Sequence, residues 1–153
     1  MTDGTFRLTS TAFDEGGAIP RRFSCDGDDA SPDLAWEGAP GETASFVLLV
    51  EDPDARGFVH WIAFDLTGSS SGGLAEGVST SPDAPPQGTN GFGRVGWAGP
   101  CPPQGEHRYV FRLLALDDIL GLTGAPGAED VLAATDGHMI AEATLNATYR
   151  RAR

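Results

Sequence analysis

The sequence predicts a mainly β domain, and three observations carry that prediction. Short apolar runs bounded by Gly, Pro and Asp recur at residues 45–51 (SFVLLVE), 61–66 (WIAFDL) and 109–116 (YVFRLLAL), which is how largely buried strands read. Residues 140–149 alternate instead. Ala141, Ala143, Leu145, Ala147 and Tyr149 share one face and Glu142, Thr144, Asn146 and Thr148 the other, the period of a half-exposed strand. Finally, 21 glycines and 11 prolines are spread along the chain without low complexity, as expected of many turns between short strands.

At 153 residues and 40% hydrophobic composition, the chain is long enough for one buried core and too short for two ordinary domains. A single domain over residues 1–153 is expected. Near the N-terminus, residues 6–9 and 11–13 read together as one edge strand. Residues 19–36, punctuated by Pro20, Gly27 and Pro32, read as ordered coil, with Trp36 filling core between layers. Residues 67–105 are so rich in Gly, Ser and Pro that the stretch should be mostly irregular, and long loops in small domains are usually functional or disordered. Beyond Asp117, apolar residues at helical spacing predict two short helices, over 118–122 and 128–135, with Pro126 just ahead of the second and Gly137 at its stop position.

The formal net charge of -12 argues against a nucleic-acid partner, because a phosphate backbone rewards a basic face. It equally disfavours adsorption to anionic membranes. No apolar run approaches the length of a membrane helix, and residues 1–10 carry no basic and apolar leader pattern. A cytoplasmic protein without integral membrane contact is expected. The two cysteines, Cys25 and Cys101, are too few for a disulfide scaffold and lack metal-ligand spacing. They read as reduced thiols, with a redox pair tying the two segments together as the alternative.

Two segments concentrate the candidate chemistry: Asp52-Pro53-Asp54 running to His60-Trp61, and Gly99-Pro100-Cys101-Pro102-Pro103 running to His107-Arg108-Tyr109. Each brings one of the three histidines to a strand end. Asp52 is placed to orient or charge His60 if their strands are neighbours, with Asp54 capping the turn. Asp-Pro-Asp is also a natural turn former in its own right. In the second segment Gly99 permits a tight turn, while the prolines around Cys101 remove donors and leave one backbone N–H, that of Cys101, in a rigid arc. A rigid amide beside two imidazoles and the Tyr109 hydroxyl suits a small phosphoryl or carboxylate anion. The candidate ligand-binding set is thus Asp52, His60, Gly99, Cys101, Pro102, His107 and Tyr109. His138, at a predicted helix C-terminus, reads as structural. A hydrolase or metal-dependent enzyme using Asp52, His60 and His107 is the alternative, although no serine nucleophile motif is present. Neither a cofactor nor a metal is expected.

With both segments placed, the chain resembles the phosphatidylethanolamine-binding protein family, in its bacterial branch of Raf-kinase-inhibitor-like proteins. The likeness runs through Ile19-Pro20, Ser24-Cys25-Asp26-Gly27, Ser31-Pro32 to Trp36, the DPDA and HW segments, GPCPP with HRY, Leu116-Asp117-Asp118, Gly137-His138 and Thr148-Tyr149. The order and spacing of so many elements make it specific. It implies a β-sandwich-like fold with one large antiparallel sheet, a smaller sheet and short peripheral helices. It also implies a small anion-binding pocket at Asp52, His60, Cys101, His107 and Tyr109. Family members bind phosphate-type groups there, lipid headgroups included, and several act on kinases or proteases, so a protein partner of that kind and a homodimer are implied as well. Three positions depart from the family pattern: Arg56 stands where a proline is usual, Cys101 where relatives outside bacteria have glycine, and Ala147 where glycine precedes the final Thr-Tyr. No C-terminal gating helix is expected before Arg153.

Overall fold

The computed structural model describes residues 6–67 and 70–151. Its strands are β1 (Arg7–Thr9), β2 (Gly17–Ala18), β3 (Leu34–Glu37), β4 (Ser45–Asp52), β5 (Phe58–Leu66), β6 (Gly72–Leu74), β7 (Glu106–Leu116) and β8 (Met139–Arg150), and a single α-helix, α1, spans Ala128–Thr135. The large sheet has the order β2-β8-β7-β4-β5 and the small one β1-β3-β6. All pairings are antiparallel except the short β2–β8 contact. The predicted architecture of a larger and a smaller sheet is therefore what the chain adopts. Among the described residues no helix is long and apolar enough to cross a membrane.

The sequence pattern of each strand follows from how many of its faces are covered. In β4, Phe46, Leu48 and Val50 enter the core between the two sheets, whereas Val47 and Leu49 face a second cluster with Val131 of α1. A strand buried on both faces must be apolar at every position. On β8 only Ala143, Leu145, Ala147 and Tyr149 are buried, hence its alternation. Trp36 lies in the inter-sheet core against Phe46, ring centroids 5.2 Å apart.

Several local expectations are corrected. Residues 118–122 form no helix, because the Asp65 carboxylate captures the backbone N–H groups of Leu120 and Gly121 at 2.7 and 2.9 Å, and Gly121 adopts φ +67°. Leu120 and Leu122 still pack toward Val131, as an extended segment. The N-terminal edge strand ends at Thr9, since the Asp33 carboxylate takes the N–H and hydroxyl of Thr11. The coil over 19–36 gives way to β3, whose Leu34 and Trp36 point inward while Ala35 and Glu37 point out.

The 67–105 stretch holds β6 and a 3₁₀ turn at Val78–Thr80 but is otherwise irregular; residues 68 and 69 lie outside the described residues. Its course is nevertheless fixed. It runs beside β5 through hydrogen bonds from Phe64 N to Pro86 O, Gly88 N to Ile62 O, Gly91 N to Val59 O and Ala98 N to His60 O. The Gln87 amide accepts from the Trp61 indole at 2.7 Å and donates to Ser79 O. This loop is what carries residues 90–98 to the end of the large sheet where the candidate segments meet.

Candidate functional site

Period-two geometry sets up the site. Phe58 and His60 on β5 share a face, as do His107 and Tyr109 on β7, and β4 lies between these two strands with Asp52 at its end. The side chains converge on a cavity of about 150 Å³ lined by Asp52, His60, His107 and Tyr109, with Phe58 and Phe92 as aromatic walls. Cys101, Pro102 and Pro103 close the far side, and Ala55 completes the lining. A cavity of that size holds a molecule about as large as benzene.

Asp52 is 3% exposed and uses both carboxylate oxygens. One accepts the N–H of Asp54 at 2.8 Å, capping the 3₁₀ turn Pro53–Ala55, and the other accepts Nδ1–H of His107 at 2.5 Å. The partner of Asp52 is thus His107 and not His60, and Asp52 rather than Asp54 caps the turn. Asp54 instead accepts the backbone N–H of Arg108 at 2.9 Å and pairs with its guanidinium. The Arg108 side-chain hydrogen bonds, then its backbone N–H, hold the Asp54 carboxyl below its usual range. Arg56 follows at φ +60°, a value closed to proline, whose ring locks φ near -65°.

His60 is 4% exposed. Its Nδ1 lies 2.7 Å from the Ala98 carbonyl, which only accepts, so Nδ1 carries the proton. Burial lowers its pKa, opposed by the Ala98 carbonyl and by Asp52 and Asp29. The stability consequence has a definite sign. Below the ordinary value of 6.5 the unfolded ring takes up a proton that the folded ring resists, so stability falls as pH drops through 6.5 toward the lower folded value. Urea midpoints measured at about pH 7.5 and 5.5 are expected to show this fall, and His60→Gln to flatten it; an unchanged slope in the variant would contradict it.

Tyr109 packs edge-on to His60, ring centroids 5.3 Å apart, and stacks on His107 at 6.4 Å. It is 1% exposed, and its hydroxyl has no hydrogen-bond partner among the described residues. Burial and the nearby Asp52 push its pKa upward, keeping the phenol a donor.

Cys101 is joined to Cys25 in a disulfide, with the two Cα atoms 5.5 Å apart. The reduced-thiol reading is thereby corrected. The turn over residues 21–27 brings Cys25 onto the proline loop, where its N–H donates to Pro100 O. Gly99 does not line the cavity but lies behind it, its N–H donating to Asp29 Oδ1 at 2.7 Å. The other predicted residues, Asp52, His60, Cys101, Pro102, His107 and Tyr109, are brought together.

The sequence reading missed the aromatic wall. Phe58 was available from its period-two spacing to His60. Phe92, 52% exposed, sits at the tip of a turn built by Asn90, whose side-chain oxygen accepts the N–H groups of Phe92 and Arg94. It meets Phe58 edge-to-face at 4.7 Å. Away from the cavity, His138 pairs with Asp117 at 2.8 Å, in keeping with a structural role. No group of three or more His, Cys, Asp or Glu side chains converges as a metal site among the described residues.

Comparison with known proteins places this geometry in a family. A UPF0098 protein of Methanothermobacter thermautotrophicus is 46% identical over 149 residues, covering 94% of this chain and 98% of the relative. A crystal structure of a phosphatidylethanolamine-binding protein homologue from Chlamydia trachomatis matches with a TM-score of 0.88 at 40% identity, over 98% of this chain and 100% of that one. Escherichia coli YbcL, described as a member of the mammalian family, matches at 0.86 and 28% identity over 96% and 99% of the two chains. Residues 9–150 match the family model for phosphatidylethanolamine-binding protein, and the chain belongs to that family.

Proposed function

We propose that this protein is a non-catalytic binding protein for small molecules or modified proteins bearing a phosphoryl or carboxylate group, which it receives in the cavity beneath the Cys101 loop. The observation that carries this reading is the Tyr109 hydroxyl, buried and without a partner on the cavity wall. A buried donor left unsatisfied costs free energy that a ligand oxygen recovers. The apolar walls from Phe58, Phe92 and the prolines leave room for an organic substituent on that oxygen-bearing group. The family description names phosphatidylethanolamine, whose headgroup carries a phosphoryl group of the required kind. Regulation of a kinase or protease through the same cavity is the partner reading that accords with it. The hydrolase reading has less support: the lining holds no Ser or Thr, and the Cys101 sulfur is committed to the disulfide.

The test is a thermal-shift titration with phosphate, phosphoethanolamine and acetate, on the native protein and on His107→Ala. A ligand at about a hundred times its Kd adds roughly 2.7 kcal/mol, a rise of roughly 5–10 °C for a chain of this length. The variant is expected to lose that rise. No rise with any of the three anions, or an equal rise in the variant, would overturn the proposal.

A further inference from the structure

The donors and acceptors of the cavity do not match a bare anion. His60 Nδ1–H is engaged by Ala98 O, so in the neutral ring Nε2 offers a lone pair, and no described protein group pairs with it. His107 likewise turns Nδ1–H to Asp52 and keeps Nε2 as its remaining nitrogen. Asp52 adds a carboxylate on the wall, and the lining contains no Lys or Arg, since the nearby Arg108 guanidinium is turned to Asp54. Among the side chains lining the cavity, the unpartnered donor is the Tyr109 hydroxyl. An oxyanion, which only accepts, would face the His60 lone pair and the Asp52 charge with one side-chain donor, beside the Cys101 backbone N–H, to hold it.

One added proton repairs the mismatch. Whether it sits on the ligand or on the imidazole, it makes a charge-assisted hydrogen bond where two lone pairs would otherwise oppose each other. Resting on the anion-binding reading above, we propose that the cavity takes up the anion of a weak oxyacid together with one proton from solvent, shared between a ligand oxygen and His60 Nε2. The ligand class is then carboxylic acids and phosphomonoesters in their protonated or monoanionic forms. The groups facing His60 agree with this. Asp52 at the end of β4 and Asp29 from the N-terminal coil favour a proton there. His107 and Tyr109 face it from β7, while the 86–98 loop contributes the Ala98 carbonyl and Phe92. The Cys101 loop brings no titrating group. The depressed pKa of His60, caused mainly by burial, disfavours a proton on its ring in the empty cavity at neutral pH, so that proton arrives with the ligand.

The experiment is calorimetric titration of the native protein with acetate, repeated in buffers of different ionisation enthalpy between about pH 7 and 9. Acetate is itself unprotonated there, and the expected uptake is about one proton per acetate, with Kd rising about tenfold per pH unit. His60→Gln is expected to bind with uptake near zero. Saturable binding with no proton uptake and a pH-independent Kd, or full uptake retained in His60→Gln, overturns this inference alone. Absence of binding by acetate and phosphate at every pH overturns the anion-site reading and this inference with it.

Discussion

Replacing Cys25 and Cys101 together by serine is expected to lower the unfolding free energy by about 4 kcal/mol and the melting temperature by roughly 10 °C. The bond closes a loop with a sequence separation of 76 residues, so in the chain-entropy account most of its effect lies in restricting the unfolded state. The folded side changes less. Without the bond, Cys25 N still donates to Pro100 O, the Trp97 indole to Phe23 O and Gly99 N to Asp29. The proline loop should therefore stay docked in the native double variant and keep its ligand response, even though the fold is less stable. Urea unfolding with and without reductant, beside the double variant, measures this. A difference under about 1 kcal/mol would contradict the loop-closure account.

Gly99→Ala is expected to do the opposite, damaging the site as much as the stability. A Cβ on residue 99 would lie 2.1 Å from Phe23 O, 2.5 Å from Asp29 Oδ1 and 2.9 Å from Ser24 Cα. Two of these are backbone atoms. The third is the oxygen that holds the Gly99 N–H, so relief of the clash breaks the hydrogen bond that seats the loop. Overpacking of this kind costs about 1–3 kcal/mol, and the lost buried bond adds about 1 more. The moved segment carries Cys101, Pro102 and Pro103, one wall of the cavity, so the phosphate-induced thermal shift should disappear as well. Gly41→Ala, where an added Cβ meets nothing, should stay within about 0.5 kcal/mol of the native protein. A Gly99→Ala protein with native stability and an intact phosphate shift would refute this account.

Covering strands was easier to read from sequence than short pairing strands. The run 45–51 announced itself because both faces of β4 are buried, and β8 because only one is. Strand β3 has the same alternation, but four residues between Pro32 and Gly38 give too short a sample to stand out. Strand β6 is hidden further. Gly72 must be glycine because the Trp36 indole lies where its Cβ would be, 2.9 Å away, and glycine carries no strand signal. The false helix over 118–122 was overruled by Asp65, 55 residues from Leu120, a competitor that no local window contains.

The same distinction applies at the site. The identities of the polar residues could be picked out, because rare histidines stood beside proline-stiffened segments. Their pairing could not. Asp52 meets His107 because β4 runs antiparallel to β7 with Glu51 opposite Val110, and a register is a property of two strands and not of either sequence. The disulfide was illegible for the same reason. Its presence also bears on location: disulfides persist in oxidising surroundings, whereas the sequence reading had pointed to the cytoplasm.

The loop laid along β5 has a consequence for self-association. An open edge strand is a template on which a second copy can add its own backbone, the route to swapped dimers and to fibrils. Here the carbonyl groups of Val59, His60 and Ile62 and the N–H of Phe64 on that edge are taken by residues 86–98 of the same molecule. The opposite edge of the large sheet is the two-residue β2. Strand β2 covers only Ala147 and Thr148 of β8, so of the two edges it is the β5 side that the loop closes to the backbone of a second copy.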